Sequence, residues 1–208
     1  MKNATKHAEE LKSLCKKLVK EHKPADRAPQ EPLWALVRGA MSYDVADDRV
    51  EQAIKVIERE FVDLNELRVA TELEVQDLLG MRYPAIEERV KRITAALNAI
   101  FEKEHTLSLN RLKEVSRRDA RQFLRDLPEM HPFVEAYVML YSFDGHAVPI
   151  DEGMLAYLAE EEILEEGTNL EDAQKFVEHH IKAEECHAFF TALRAAVTEG
   201  KGKKKVKA

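Results

Sequence analysis

Cysteine is nearly absent: Cys15 and Cys186 are the only two in 208 residues. One chain can build neither a disulfide framework nor a four-cysteine cluster from them. Glycine and proline are scarce, at 7 each, and no segment reads as a strand. No run approaches the roughly 18–20 apolar residues that span a bilayer, so no membrane partner is expected. Met1 to Lys6 contain no apolar signal region, and the expected compartment is the cytoplasm. A basic excess is lacking too. The formal net charge is −7, and without the five lysines of residues 201–208 the remainder sums to −12. Duplex affinity comes largely from neutralised phosphates, so this balance predicts weak DNA binding at best.

What is present is helical material. Glu, Lys, Leu, Ala and Arg dominate a chain that is 45% hydrophobic and 34% charged, enough for one or two compact helical domains. The spacing predicts an amphipathic helix over 6–23, with Leu11, Leu14, Cys15, Leu18 and Val19 on one face. Pro24 and Pro29 break it, and Pro32 opens the next helix, which carries Leu33, Leu36, Val37 and Met41. Ser42-Tyr43-Asp44 reads as a turn and cap before a helix reaching about Phe61. Asp63 begins a short helix. Thr71 and Glu74 make a capping-box pattern for another, which stops at Gly80. Pro84 starts a helix with Ile86, Val90, Ile93, Leu97 and Ile100 inward, and Ser116 caps a helix containing Ala120 and Leu124. Further helices run from Pro132 to Phe143, from Asp151, from residues 168–171, and to just before Gly200. Glu160, Glu161, Glu162, Glu165 and Glu166 belong on a solvated face, and residues 201–208 are expected to be a disordered, lysine-rich tail.

The most informative stretch is Leu127-Pro128-Glu129-Met130-His131-Pro132-Phe133, followed by an apolar helix and then Val148-Pro149-Ile150-Asp151. It resembles the core of the helix-hairpin-helix DNA glycosylases, the endonuclease III superfamily. There a hairpin of the form L-P-G-hydrophobic-G precedes a packed helix and the motif V-P/A-V-D. The interval from Pro128 to Asp151 fits without a gap. Residues 38–44 are similar to the family's L-S-x-Q-x-T/S-D segment, and Gly80-Met81-Arg82-Tyr83 to its G-F/L-Y element. The resemblance covers roughly Leu33 to Leu158. It implies an all-α, two-lobed fold with a central cleft. Residues 32–145 would form a six-helix lobe ending in the hairpin. Residues 1–31 would pack with a C-terminal helical lobe at 146–200.

The resemblance also implies roles. Asp151 would be the carboxylate that faces a nucleotide flipped out of the stack and stabilises the charge left on its sugar; read alone, it is a helix N-cap. Phe133 stands where lyase-competent members carry a Schiff-base lysine. A phenyl ring forms no imine, so any activity would be monofunctional. Phe133 could stack on a base or belong to the core. Pro128, Glu129, Met130 and His131 would form the DNA-facing hairpin. Glu129 and His131 replace the glycines whose backbone N–H groups approach a phosphate, which makes a packing corner the alternative. Met41 replaces the wedging glutamine and either wedges or packs. Asp44 would cap the next helix.

No cofactor is expected. The iron–sulfur cluster of many relatives takes four close cysteines. His179, His180, Cys186 and His187 read as surface or packing residues, and no metal site is expected. Two readings stand. One is a monofunctional base-excision glycosylase acting on duplex DNA. The other is a non-catalytic helical scaffold or protein-binding adaptor on the same fold, whose protein partner the residues do not identify.

Overall fold

The computed structural model describes residues 4–165 and 167–206; Glu166, within the acidic run, and the first three and last two residues lie outside them. All regular structure among the described residues is helical. In order these are α1 (Ala4–His22), α2 (Pro32–Ser42), α3 (Asp47–Glu60), α4 (Leu64–Val69), α5 (Glu72–Leu79), α6 (Ile86–Glu104), α7 (Arg117–Arg125), α8 (Pro132–Ser142), α9 (Glu152–Glu160), α10 (Leu170–His180) and α11 (Cys186–Val206). Short 3-10 turns cover Asn110–Lys113 and Ala183–Glu185. No described helix is long and apolar enough to cross a membrane.

The contacts divide the chain into two units: residues 1–28 with 144–208, and residues 29–143. In the first, α1 packs along α11. Leu11, Leu14 and Leu18 are buried on α1, and Phe189, Phe190 and Leu193 on α11. In the second, α2 lies against α8, while α4 and α5 rest on α6. The approach of α2 to α8 depends on Gly39. A Cβ there would sit 3.2 Å from the Tyr137 ring, closer than a side chain packs comfortably. α8 is buried almost all round, and it carries one acid, Glu135, which is 1% exposed. Arg121 and Arg125, four residues apart on α7, meet it at 2.5 and 3.2 Å, so the buried charge is paired.

Several boundaries follow side-chain caps. Glu31 accepts from the N–H groups of Leu33 and Trp34, and Pro32 opens α2. Asp63 caps α4, and the Thr71–Glu74 box forms in both directions. Gly80 ends α5 at φ 82°, where glycine carries no Cβ penalty. Other boundaries differ from the sequence expectation. α6 starts at Ile86 rather than Pro84, because Ala85 is left-handed (φ 48°) and the Pro84 carbonyl is taken by Arg89. Asp44 is left-handed at φ 52°, and Ala46, whose side chain makes no cap bond, directly precedes α3. α11 carries on past Gly200 to Val206, so the lysine-rich stretch begins as helix. Lysine is a good helix former and here extends an existing helix, which needs no new nucleus.

Arg89 organises the second unit. The residue is 3% exposed, and its guanidinium donates to three carbonyls: Ala40 at 2.6 Å, Tyr43 at 2.6 Å and Pro84 at 2.7 Å. Two of them belong to the C-terminal end of α2, where carbonyls lack helical partners and the dipole favours a cation. Arg89→Met would leave these oxygens buried without their donors. We expect a loss of about 3 kcal/mol, read as a lower urea midpoint. Arg89→Lys, with a point charge in place of the fork, should recover only part of it.

Candidate functional site

The hairpin sits between α7 and α8. Leu127 is buried, Pro128 and Glu129 are exposed, and Met130 donates its N–H to the Leu127 carbonyl at 3.3 Å. Glu129 is left-handed at φ 56°, a conformation that costs a residue with a Cβ roughly 1–2 kcal/mol and glycine almost nothing. Two residues of α6 hold it there. Arg92 Nε donates to the Glu129 carbonyl at 2.9 Å, and Lys91 Nζ lies 3.0 Å from Glu129 Oε1. The hairpin thus presents an internal carboxylate, matched by an internal ammonium, at its tip.

His131 caps α8, with Nδ1 accepting the Phe133 N–H at 3.2 Å. Its ring lies 4.4 Å from that of Tyr43, which also meets Phe133 edge-on at 5.5 Å. Burial pushes the His131 pKa down to about 4; Arg92 and Arg89 push the same way, and Asp44 pulls weakly back. The imidazole is therefore neutral at neutral pH, as its acceptor role requires. Phe133 is 0% exposed and stacks on Tyr137, so it is core here. Met41 is 0% exposed as well, and its carbonyl accepts the Tyr83 hydroxyl at 2.9 Å. Its side chain packs inside the second unit.

Asp151 belongs to the first unit. It caps α9, Oδ1 accepting the Met154 N–H at 2.8 Å, and it is 4% exposed. Val148, Pro149 and Ile150 before it are buried too. Arg194 of α11, also buried, lies with Nη1 3.9 Å from Asp151 Oδ2. Asp151 thus combines the cap with a buried carboxylate in a charged pair. The structure brings Pro128, Glu129, Met130, His131 and Phe133 together with Tyr43 in the second unit, while Asp151 and Arg194 meet in the first.

The remaining candidates hold no site. Among the described residues no group of three or more His, Cys, Asp or Glu side chains could hold a metal. Burial pushes the Cys186 thiol up to about 12 and Cys15 up to about 11, with Glu178 and Glu185 respectively adding to it. Neither is a nucleophile near neutral pH. His179 and His180 face each other edge-on at 4.7 Å. Of the basic clusters, Arg111 is held by Glu104 at 2.5 and 2.8 Å and Arg121 by Glu135.

The architecture has close structural counterparts. A Clostridium acetobutylicum 8-oxoguanine glycosylase/lyase, in complex with dsDNA containing cytosine opposite 8-oxoG, superposes with a TM-score of 0.72 at 17% identity. The match covers 96% of this chain and 71% of that one. A trapped endonuclease III–DNA covalent intermediate gives 0.71 at 13% identity, covering 90% and 84%. An H. pylori 3-methyladenine DNA glycosylase bound to 1,N6-ethenoadenine gives 0.65 at 15%, covering 95% and 98%. The chain has the helix-hairpin-helix DNA glycosylase fold. No protein-family model and no curated protein sequence matches it.

Sequence reasoning missed the roles of four residues here. Arg194 stands four residues after Phe190, on the same face of an apolar helix, and that spacing was its signal. Tyr43 read as part of a turn. Lys91 and Arg92 read as a basic cluster, without their link to Glu129. The His131 environment sets a pH dependence. Unfolded, the imidazole titrates near 6.5; folded, near 4. As pH falls the unfolded chain takes up its proton first. The contribution is therefore complete above about 6.5 and is lost as pH falls from there toward about 4. Allowing for partial exposure, it amounts to about 2 kcal/mol. His131→Asn keeps a capping side chain. Across that window its urea midpoint should fall less steeply than that of the wild type.

Proposed function

We propose that this chain is a DNA-glycosylase-like protein of the base-excision-repair type, a weak duplex binder without lyase chemistry. Asp151 is its site carboxylate. One observation carries the reading: in a chain with the glycosylase fold, the helix after the hairpin leads to a buried Asp151 at the N-terminus of α9. Proteins of this fold in the comparison hold DNA, which makes damaged duplex the ligand class to test. Base removal would extrude the nucleotide, and the Asp151 carboxylate would stabilise the positive charge developing on its sugar. No lysine stands at Phe133, so that position offers no imine and no strand cleavage through one.

The hairpin argues for weakness. A phosphate approaching it meets the Glu129 carboxylate, and Lys91, the nearby cation, already answers that acid. A specific observation therefore favours a second reading. With the hairpin charge satisfied internally and Phe133 and Met41 buried, the same fold can serve as a non-catalytic scaffold that binds protein. Protein binding does not need Asp151 as a carboxylate.

Two experiments separate the readings. Fluorescence anisotropy with a duplex carrying one damaged base should show weak, strongly salt-dependent binding by the wild type. Glu129→Gly removes the acid, releases Lys91 and relaxes the left-handed residue. It should tighten binding by up to about fivefold, the size of an exposed charge pair. Unchanged affinity would mean that the hairpin does not face DNA.

In a glycosylase assay across several damaged bases, borohydride should trap no adduct. Any excision should vanish in Asp151→Asn, which keeps the cap but removes the charge. Excision that survives this change would remove Asp151 from the site. No excision of any base would leave the scaffold reading.

A further inference from the structure

Asp151 does not stand alone in its apolar surroundings. One oxygen, Oδ1, is fixed by the Met154 N–H, so the turn of α9 sets that end of the carboxylate. The other, Oδ2, faces Arg194 Nη1 at 3.9 Å, from a helix more than forty residues away in sequence. The two side chains are only 6% and 9% exposed. The α11 neighbours of Arg194, Phe189, Phe190 and Leu193, are buried, and the Arg194 guanidinium lies 5.9 Å from the Phe190 ring. A buried arginine in such a row carries a desolvation cost, which a nearby anion offsets. Burial of Asp151 by itself would favour the protonated acid, while a neighbouring guanidinium, which never loses its proton, favours the carboxylate.

Other charged groups on the packed elements turn to different partners. Glu178 of α10 accepts from Val148 N–H and from Gln174. His187 of α11 faces Arg27 and Asp26, and Glu152, next to Asp151, is exposed.

We propose that Arg194 is a positioning residue for Asp151: a fixed positive charge on α11 that keeps the site carboxylate ionised and holds its outer oxygen in one orientation. The inference rests on the reading of Asp151 as the site carboxylate. It adds a consequence for the chemistry. An ionised Asp151 answers a developing sugar cation electrostatically and does not wait to be deprotonated, so any activity persists to lower pH than a buried lone aspartate would allow.

The test is a carbon-13 NMR titration of the aspartate carboxyls of the full chain, with Asp151 assigned through Asp151→Asn. In the wild type Asp151 should titrate below the ordinary aspartate value of about 3.9. Arg194→Gln should raise the midpoint by about 1–3 units. Arg194→Lys, which keeps the charge, should restore most of the drop. The Met154 contact is common to all three proteins, so the difference between them reports Arg194. Circular dichroism checks that each variant stays helical. A midpoint in Arg194→Gln equal to that of the wild type overturns the proposal. Should the glutamine variant fail to fold, Arg194→Met takes its place in the same comparison, and a midpoint equal to that of the wild type overturns the proposal; a wild-type midpoint at or above the ordinary value overturns it outright. On any damaged duplex that the wild type processes, the acid limb of kcat/KM should move with the midpoint. A wild type that processes none defeats the functional reading while leaving the titration to judge Arg194.

Discussion

A single buried guanidinium, that of Arg89, sets the geometry on which the hairpin rests. A charge in a protein interior is tolerated only where dipoles or counter-charges surround it. Arg89 finds three carbonyls, two from the end of α2 and one from Pro84, two residues before the start of α6. The bond to the Tyr43 carbonyl places the chain after α2, and the Tyr43 ring then packs on His131 and Phe133. One turn further along α6, Arg92 reaches the Glu129 carbonyl, with Lys91 beside it on the Glu129 carboxylate. Thus α6 is a basic backing for the hairpin. Its first arginine is spent on the fold, and the next two cations are spent on the hairpin itself.

That distribution explains how a glutamate can occupy a hairpin position suited to glycine. A left-handed residue with a side chain carries a strain of roughly 1–2 kcal/mol. The bond from Arg92 to its carbonyl and the ion pair with Lys91 oppose that strain. Both contacts are exposed, so each contributes modestly by itself. The backbone geometry of the hairpin can therefore persist without the surface that glycine would offer. Glycine leaves N–H groups bare for a phosphate. Glutamate fills the approach with an anion.

Helical class and most helix starts were legible in the sequence because they rest on local rules. The Thr71–Glu74 box, Asp63, Ser116 and Pro32 act within one turn, and the structure uses each of them. The apolar faces of α1 and α6 were legible from their 3.6-residue period. The failures are non-local or come from the left-handed region. Nothing near Ala85 signals a positive φ, although Asp44 is of a type that tolerates one; the carbonyl bonds of Arg89, made across 49 residues to Ala40, help to shape that corner. Glu135 and Arg194 look like interruptions of apolar helices until their partners on other helices are known. Phe133 and Met41 left two readings each in the sequence. Only burial separates a stacking or wedging side chain from a core one.

Asp151 shows why a site motif and an activity are different claims. An aspartate at a helix N-terminus is favoured for the fold alone, because its oxygen satisfies an N–H that the helix leaves unpaired. That need is met here by Oδ1, so half of the carboxylate has a structural reason to be present. A cap needs neither burial nor a cation: Ser116 and Asn169 cap α7 and α10 as neutral side chains. What the cap does not explain is a carboxyl group at 4% exposure beside a buried arginine. A neutral capping residue at 151 would avoid the desolvation of both ions, and an apolar residue at 194 would pack as its neighbours do. The paired charge is the part of this site that exceeds what the helix requires, and it is the part on which a chemical role for Asp151 depends.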